Sequence, residues 1–151
     1  MLPNFSQLFS NLPEHSRVWL YLADRKLDAT EENFLNEKLS DFLVTWAAHN
    51  KKLMCDGTLL FSQYLVLAVN EDVESASGCS IDSSVRFIKS LGQELKIDFF
   101  NRLKVLVIEN NEVKLVSYFD ATANSLLFLN PLITQLGELR SQWQNSTNIV
   151  S

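Results

Sequence analysis

The chain is 151 residues long, 46% hydrophobic and 21% charged, with 4 glycines and 3 prolines. That length fits one domain with its own core, and the low glycine and proline content excludes a low-complexity chain or a flexible linker. A formal net charge of −5, with no dense run of Lys and Arg, removes the electrostatic warrant for nucleic-acid binding.

The opening stretch, MLPNFSQLFSNLPEHSRVW, has neither a basic n-region nor a continuous apolar h-region. No signal peptide is expected, and residues 1–16 read as an extension of the single domain. Nothing approaches the roughly 20 apolar residues that span a bilayer, so no membrane association is expected. RVWLYLAD, residues 17–24, has strand length and strand composition. Along it Trp19 and Tyr21 share one face, and Leu20 and Leu22 the other.

A helix follows, with Leu35, Leu39, Phe42, Leu43 and Trp46 at helical spacing. Asp28 and Glu31 have the capping-box spacing at its start, and Asn50 is its expected stop. KLMCDGTLLFSQYLVLAVNED holds two strands. Asp56-Gly57 is a hairpin signal by its chemistry. A turn near Ser62-Gln63 is preferred, because YLVLAVN reads as a central strand that needs a partner of equal length. Gly57 would then mark a bulge.

The second helix starts within SASGCSIDSSVRFIKSLG, residues 75–92, and buries a stripe of Ile81, Val85, Ile88, Leu91 and Leu95. LKVLVIENNEVKLVSY forms a hairpin about Asn110-Asn111. Asn130 caps a last helix with Pro131 in its first turn. Leu132, Leu136, Leu139 and Trp143 make its buried face, and residues 144–151 fray. This order gives an α+β fold of the split βαβ, ferredoxin-like type (βαββαβ), extended by a strand and a helix. Both main helices should lie on one face of an antiparallel sheet that includes 17–24, 64–70 and 103–109.

Common enzyme signatures are missing. There is no GxxxxGK[ST], GxGxxG or GxSxG, and His15 and His49 lack metal-ligand spacing with either cysteine. No metal and no cofactor are expected. His15 reads as a loop residue, and His49 as a cation near a helix C-terminus. Cys55 and Cys79 have no CxxC spacing and no secretory context, which points to reduced thiols and a cytoplasmic protein.

Cys79 is the residue with most chemical potential. The amides of Gly78, Cys79 and Ser80 at a helix start, with the Ser77 and Ser80 hydroxyls, could hold an anion or activate a thiolate. Asp82 and Arg86 would stand behind them as an i,i+4 pair. The competing reading is structural: Ser77 or Ser80 caps the helix and Cys79 packs as a small apolar side chain. Cys79 and Arg86 are separated by six residues, one more than the loop of cysteine phosphatases requires.

VWLYLADRKL, FLVTWAAHNKKL, YLVLAVNEDVESASGCSIDSSVRFIKSLGQEL and DFFNRLKV together resemble a family of uncharacterised bacterial proteins. Its members often carry the label "ABC transporter ATPase". The resemblance spans roughly residues 17–143 and implies no established activity and no catalytic residue. The label itself conflicts with a chain that lacks the glycine-rich phosphate cradle and its lysine.

The expectation is therefore a non-enzymatic interaction module, acting as a homodimer or on another protein. Its contacts would be Trp19, Tyr21 and Trp143 on an incompletely covered sheet face. The alternative is a small-anion or thiol-chemistry protein with its site at Ser77, Gly78, Cys79 and Ser80.

Overall fold

A three-stranded antiparallel sheet forms the centre of the molecule, in a computed structural model that describes residues 5–145. Its order is β1 (Arg17–Leu22), β5 (Tyr64–Val69), β4 (Cys55–Leu60). The run YLVLAV is buried at every position, as a strand covered on both faces must be. The β4–β5 turn passes through Phe61 and Ser62, at φ 57° and 58°, where the turn near Ser62-Gln63 was expected.

Asp56-Gly57 lies inside β4 in unbroken register with Ala68 and Leu67, so it is neither a turn nor a bulge. A Cβ on Gly57 would stand 3.0 Å from Leu67 Cδ2 and 3.3 Å from Leu39 Cδ1. Glycine leaves room there for Leu67 of β5 and Leu39 of the first long helix.

α1 (Ala29–Thr45) starts with the expected capping box. Asp28 accepts from the Glu31 amide at 2.8 Å, and Glu31 accepts from the Asp28 amide at 3.0 Å. It stops at Thr45, five residues before Asn50. Trp46 leaves the helix with extended backbone and is buried. Ala47–Ala48 (β2) then pairs with Lys51–Lys52 (β3). His49 and Asn50, at φ 51° and 63°, form that hairpin turn, so His49 does not face a helix C-terminus.

α2 (Gly78–Leu95) ends with Lys96 in the left-handed conformation and the Ile97 amide bonded to the Gly92 carbonyl at 2.9 Å. α1 and α2 cover one face of the sheet, as expected. Leu35, Leu39, Ile88 and Leu91 pack with Leu65, Leu67 and Val69.

The 103–109 strand is a correction to the expected sheet. Lys104–Glu109 (β6) pairs with Glu112–Ser117 (β7) and Phe128–Leu129 (β8), not with β1. The second sheet runs β7-β6-β8-β9, the last strand being Gln144–Asn145. The local hairpin through Asn110 and Asn111, at φ 53° and 64°, draws β6 to β7 as foreseen. The short β8, which period-2 patterning could not flag, occupies the other edge of β6. A helix at Tyr118–Ala123 (α3), capped by Ser117, was not expected either.

The last helix, α4 (Leu136–Gln142), begins well after Asn130-Pro131. Asn130 closes a local turn by accepting from the Leu132 amide at 2.9 Å, and Leu132 is exposed. Leu136, Leu139 and Trp143 are buried as expected. Residues 144–145 pair with β8 instead of fraying, and the rest of the predicted frayed tail, 146–151, lies outside the described residues.

The N-terminal stretch is part of the core. Phe5, Phe9 and Leu12 join Val66, Leu106, Leu129, Leu136 and Trp143 on the sheet's second face. Arg140 fastens that stretch by donating to the carbonyls of Leu8, Phe9 and Leu12 at 2.9–3.0 Å.

Candidate functional site

The α2 N-terminus is capped by its own serines. Ser77 is the cap, its hydroxyl accepting from the Ser80 amide at 3.1 Å. The Ser80 hydroxyl donates back to the Ser77 carbonyl at 2.8 Å, so both hydroxyls take part in closing the helix start. A carboxylate already stands beside this helix start, Glu71 accepting from the Ala76 amide at 2.8 Å. Ser80 and Ser84 face the core, and the buried Trp46 indole donates to the Ser80 carbonyl at 2.8 Å. The small residues of this stretch let α2 approach the end of α1. Gly78 has open space where a side chain would be, so its type is not forced by contact.

Cys79 is exposed rather than packed, which corrects its reading as a buried small residue. Asp82 and Arg86 are exposed as well. Among the described residues the close ion pairs lie elsewhere, at His15–Asp72, Arg25–Glu31, Lys51–Glu74 and Lys114–Glu109. The expected Asp82–Arg86 pair is not formed. Cys55 is half-buried, 3.4 Å from the Leu43 carbonyl, and burial pushes its thiol pKa up.

The three aromatic residues expected at an interface do not share a surface. Trp19 and Tyr21 lie on the helix-covered face, Trp19 edge-on to Trp46 at 5.8 Å and Tyr21 edge-on to Phe100 at 5.6 Å. Trp143 is buried on the opposite face, against Phe5 and Tyr64. Both faces of the first sheet are covered by the chain itself, because the N-terminal stretch and α4 close the side that was expected to stay open.

What stays open is an edge. In β1 the odd residues face β5, as the Ala23 amide bonded to the Gln63 carbonyl at 2.8 Å shows, and the even residues face outward. At one end the outward Val18 amide bonds the Thr134 carbonyl at 3.0 Å. At the other end the Asp24 amide bonds the Asp98 carbonyl at 3.1 Å. Between them, no hydrogen bond to the amides of Leu20 or Leu22 occurs on that side among the described residues. This is the position a fourth strand beside β1 would take, closed at both ends and unfilled in the middle by any described residue.

A cleft follows this gap. One part, of about 280 Å³, runs along Arg17–Tyr21 against Arg102 and Pro131–Thr134. A smaller part, of about 110 Å³, reaches Tyr64, Asn101 and Lys104. Arg102, Pro131 and Leu132 line both, and a third hollow beside Tyr118 and Phe128. Among the described residues, no Asp, Glu, His or Cys lines any of the three. Burial raises the phenol pKa of Tyr21, with nearby Ser84 and the Arg102 charge opposing the rise, and raises that of Tyr64 further. Neither tyrosine is a base near neutral pH. The cations at 102 and 104 escaped the sequence reading; their signal was DFFNRLK, two cations next to an aromatic pair.

The chain matches no protein-family model, no curated protein and no solved structure. No helix of the described residues is long and apolar enough to cross a membrane, and no group of metal-ligating side chains occurs among them.

Proposed function

We propose that this protein is a non-enzymatic binding module whose ligand sits at the free edge of β1. The vacant strand position beside Leu20 and Leu22 carries the reading. A folded chain that covers both faces of a sheet yet leaves main-chain donors and acceptors open in a cleft has kept a place for a guest. We read the first sheet with α1 and α2 as a ferredoxin-like unit whose fourth strand has moved to the second sheet. The resemblance to the bacterial family stays part of this reading, without the ATPase activity its label names. Two free thiols support the cytoplasmic assignment.

A fragment screen by amide chemical shifts on the labelled chain tests the site. Shifts at Leu20, Leu22 and Arg102 are expected. Shifts confined to Ser77–Asp82 would instead favour the anion or thiol reading at Cys79.

Self-association is the second reading, and its seat moves from the sheet face to another patch. Leu103 and Phe119 are 76% and 77% exposed and flank one hydrogen bond, from the Tyr118 amide to the Leu103 carbonyl at 2.7 Å. Sedimentation should show a dimer that Phe119→Asp dissociates; a wild-type monomer at high micromolar concentration contradicts it.

A further inference from the structure

The geometry points to an acidic peptide segment, bound in extended conformation as a short fourth strand of the first sheet. This inference rests on the reading of the β1 cleft as the binding site and names the class of its occupant.

Three observations converge. The first is the main chain. Leu20 and Leu22 offer N–H and C=O groups in alternation along the open edge. A small anion would use the donors and leave the carbonyls bare, whereas an extended backbone supplies partners for both.

The second is charge. Arg17, Arg102 and Lys104 line the cleft with no carboxylate among its described walls, Asp24 and Asp98 standing only at its far end, on a chain whose formal net charge is −5. Arg17 is held over the Trp19 ring at 4.8 Å, while no close carboxylate partner of Arg102 or Lys104 occurs among the described residues. Local cations in an otherwise acidic molecule select acidic guests and repel basic ones.

The third is length and apolar footing. Val18 and Asp24, the two closed ends, are six residues apart, or about 20 Å along a strand. The vacant middle admits about three or four residues, so a short segment or a chain end fits and a long strand does not. Pro131 and Leu132 give alternate side chains of such a segment an apolar wall.

Titration of the full labelled chain with acetyl-Glu-Val-Glu-amide tests the class. Its lysine-for-glutamate counterpart and glutarate serve as parallel probes. The acidic peptide should move the Leu20 and Leu22 amide resonances and slow their hydrogen exchange, with the lysine peptide inert. The double variant Arg102→Glu with Lys104→Glu should weaken binding by about tenfold or more, both side chains being exposed. An unchanged thermal midpoint would show that this variant folds.

If glutarate moves the cleft resonances and the peptide adds nothing, the site stands and the peptide class is overturned. Equal binding of the lysine peptide overturns the charge argument and with it the class. Concentration-dependent shifts of the same amides without any peptide would assign the edge to a second copy of the chain. Silence of the cleft resonances toward every probe overturns both the class and the site.

Discussion

Arg25 and Glu31 form a two-point ion pair, with parallel hydrogen bonds of 2.8 and 2.7 Å, and Arg25 also donates to the Leu95 carbonyl at 2.8 Å. The pair joins the start of α1 to the end of α2. The Arg25 hydrogen bond, then the Asp28 amide, holds the Glu31 carboxyl down to about 2 from its ordinary 4.5. A carboxyl with a lowered folded-state pKa stabilises the fold above its unfolded value, and the gain is lost as pH falls through the folded value. Urea midpoints should therefore decline between pH 4.5 and about 2, and Glu31→Gln should flatten part of that decline. Parallel pH curves for the two proteins would contradict the assignment.

The cysteines carry a second prediction at this scale. Cys79 is exposed, and Cys55 is half-buried with its thiol pKa raised by burial. The thiolate is the nucleophile, so Cys79 should alkylate roughly tenfold or more faster than Cys55 near neutral pH. Mass spectrometry that finds Cys55 modified first would refute this. Exposure sets that order.

Among the elements, the legible parts were those whose signals are local. The Asp28–Glu31 box, the Asn110-Asn111 turn and the buried run of β5 each follow from neighbours in sequence, and each is present. The misplaced boundaries follow from tertiary demands. Trp46 ends α1 early because its indole is needed at Ser80, and Asn50 serves a hairpin turn instead of a helix stop. The two-residue strands and the six-residue α3 are too short to show periodicity.

Two glycines of α2 give the element-scale prediction. A Cβ on Gly92 would lie 2.5 Å from the Ile97 carbonyl oxygen, inside the turn that closes the helix, while one on Gly78 meets nothing within 4 Å. Gly92→Ala should cost about 1–3 kcal/mol, since backbone must shift. Gly78→Ala should be neutral or stabilising by up to about 1 kcal/mol. Denaturant midpoints of the two variants decide it; equal costs would mean the α2 end is not packed as described.

At the scale of the whole molecule, the candidate site was the least legible feature. Residues 20 and 22 read only as core leucines, and Arg102 and Pro131 lie 80 or more positions from them in the sequence. Their meeting depends on β6 leaving the first sheet, which no local pattern announces. The single central claim is that the fourth-strand position beside β1 is open between Val18 and Asp24. Native-state hydrogen exchange of the unliganded chain tests it, amide by amide. The amides of Trp19 and Tyr21, facing β5, should be strongly protected, and those of Leu20 and Leu22 should exchange much faster, with Val18 and Asp24 slower than these two. Uniform protection from Val18 through Asp24 would mean that another strand fills the gap, and the proposed binding edge would not exist.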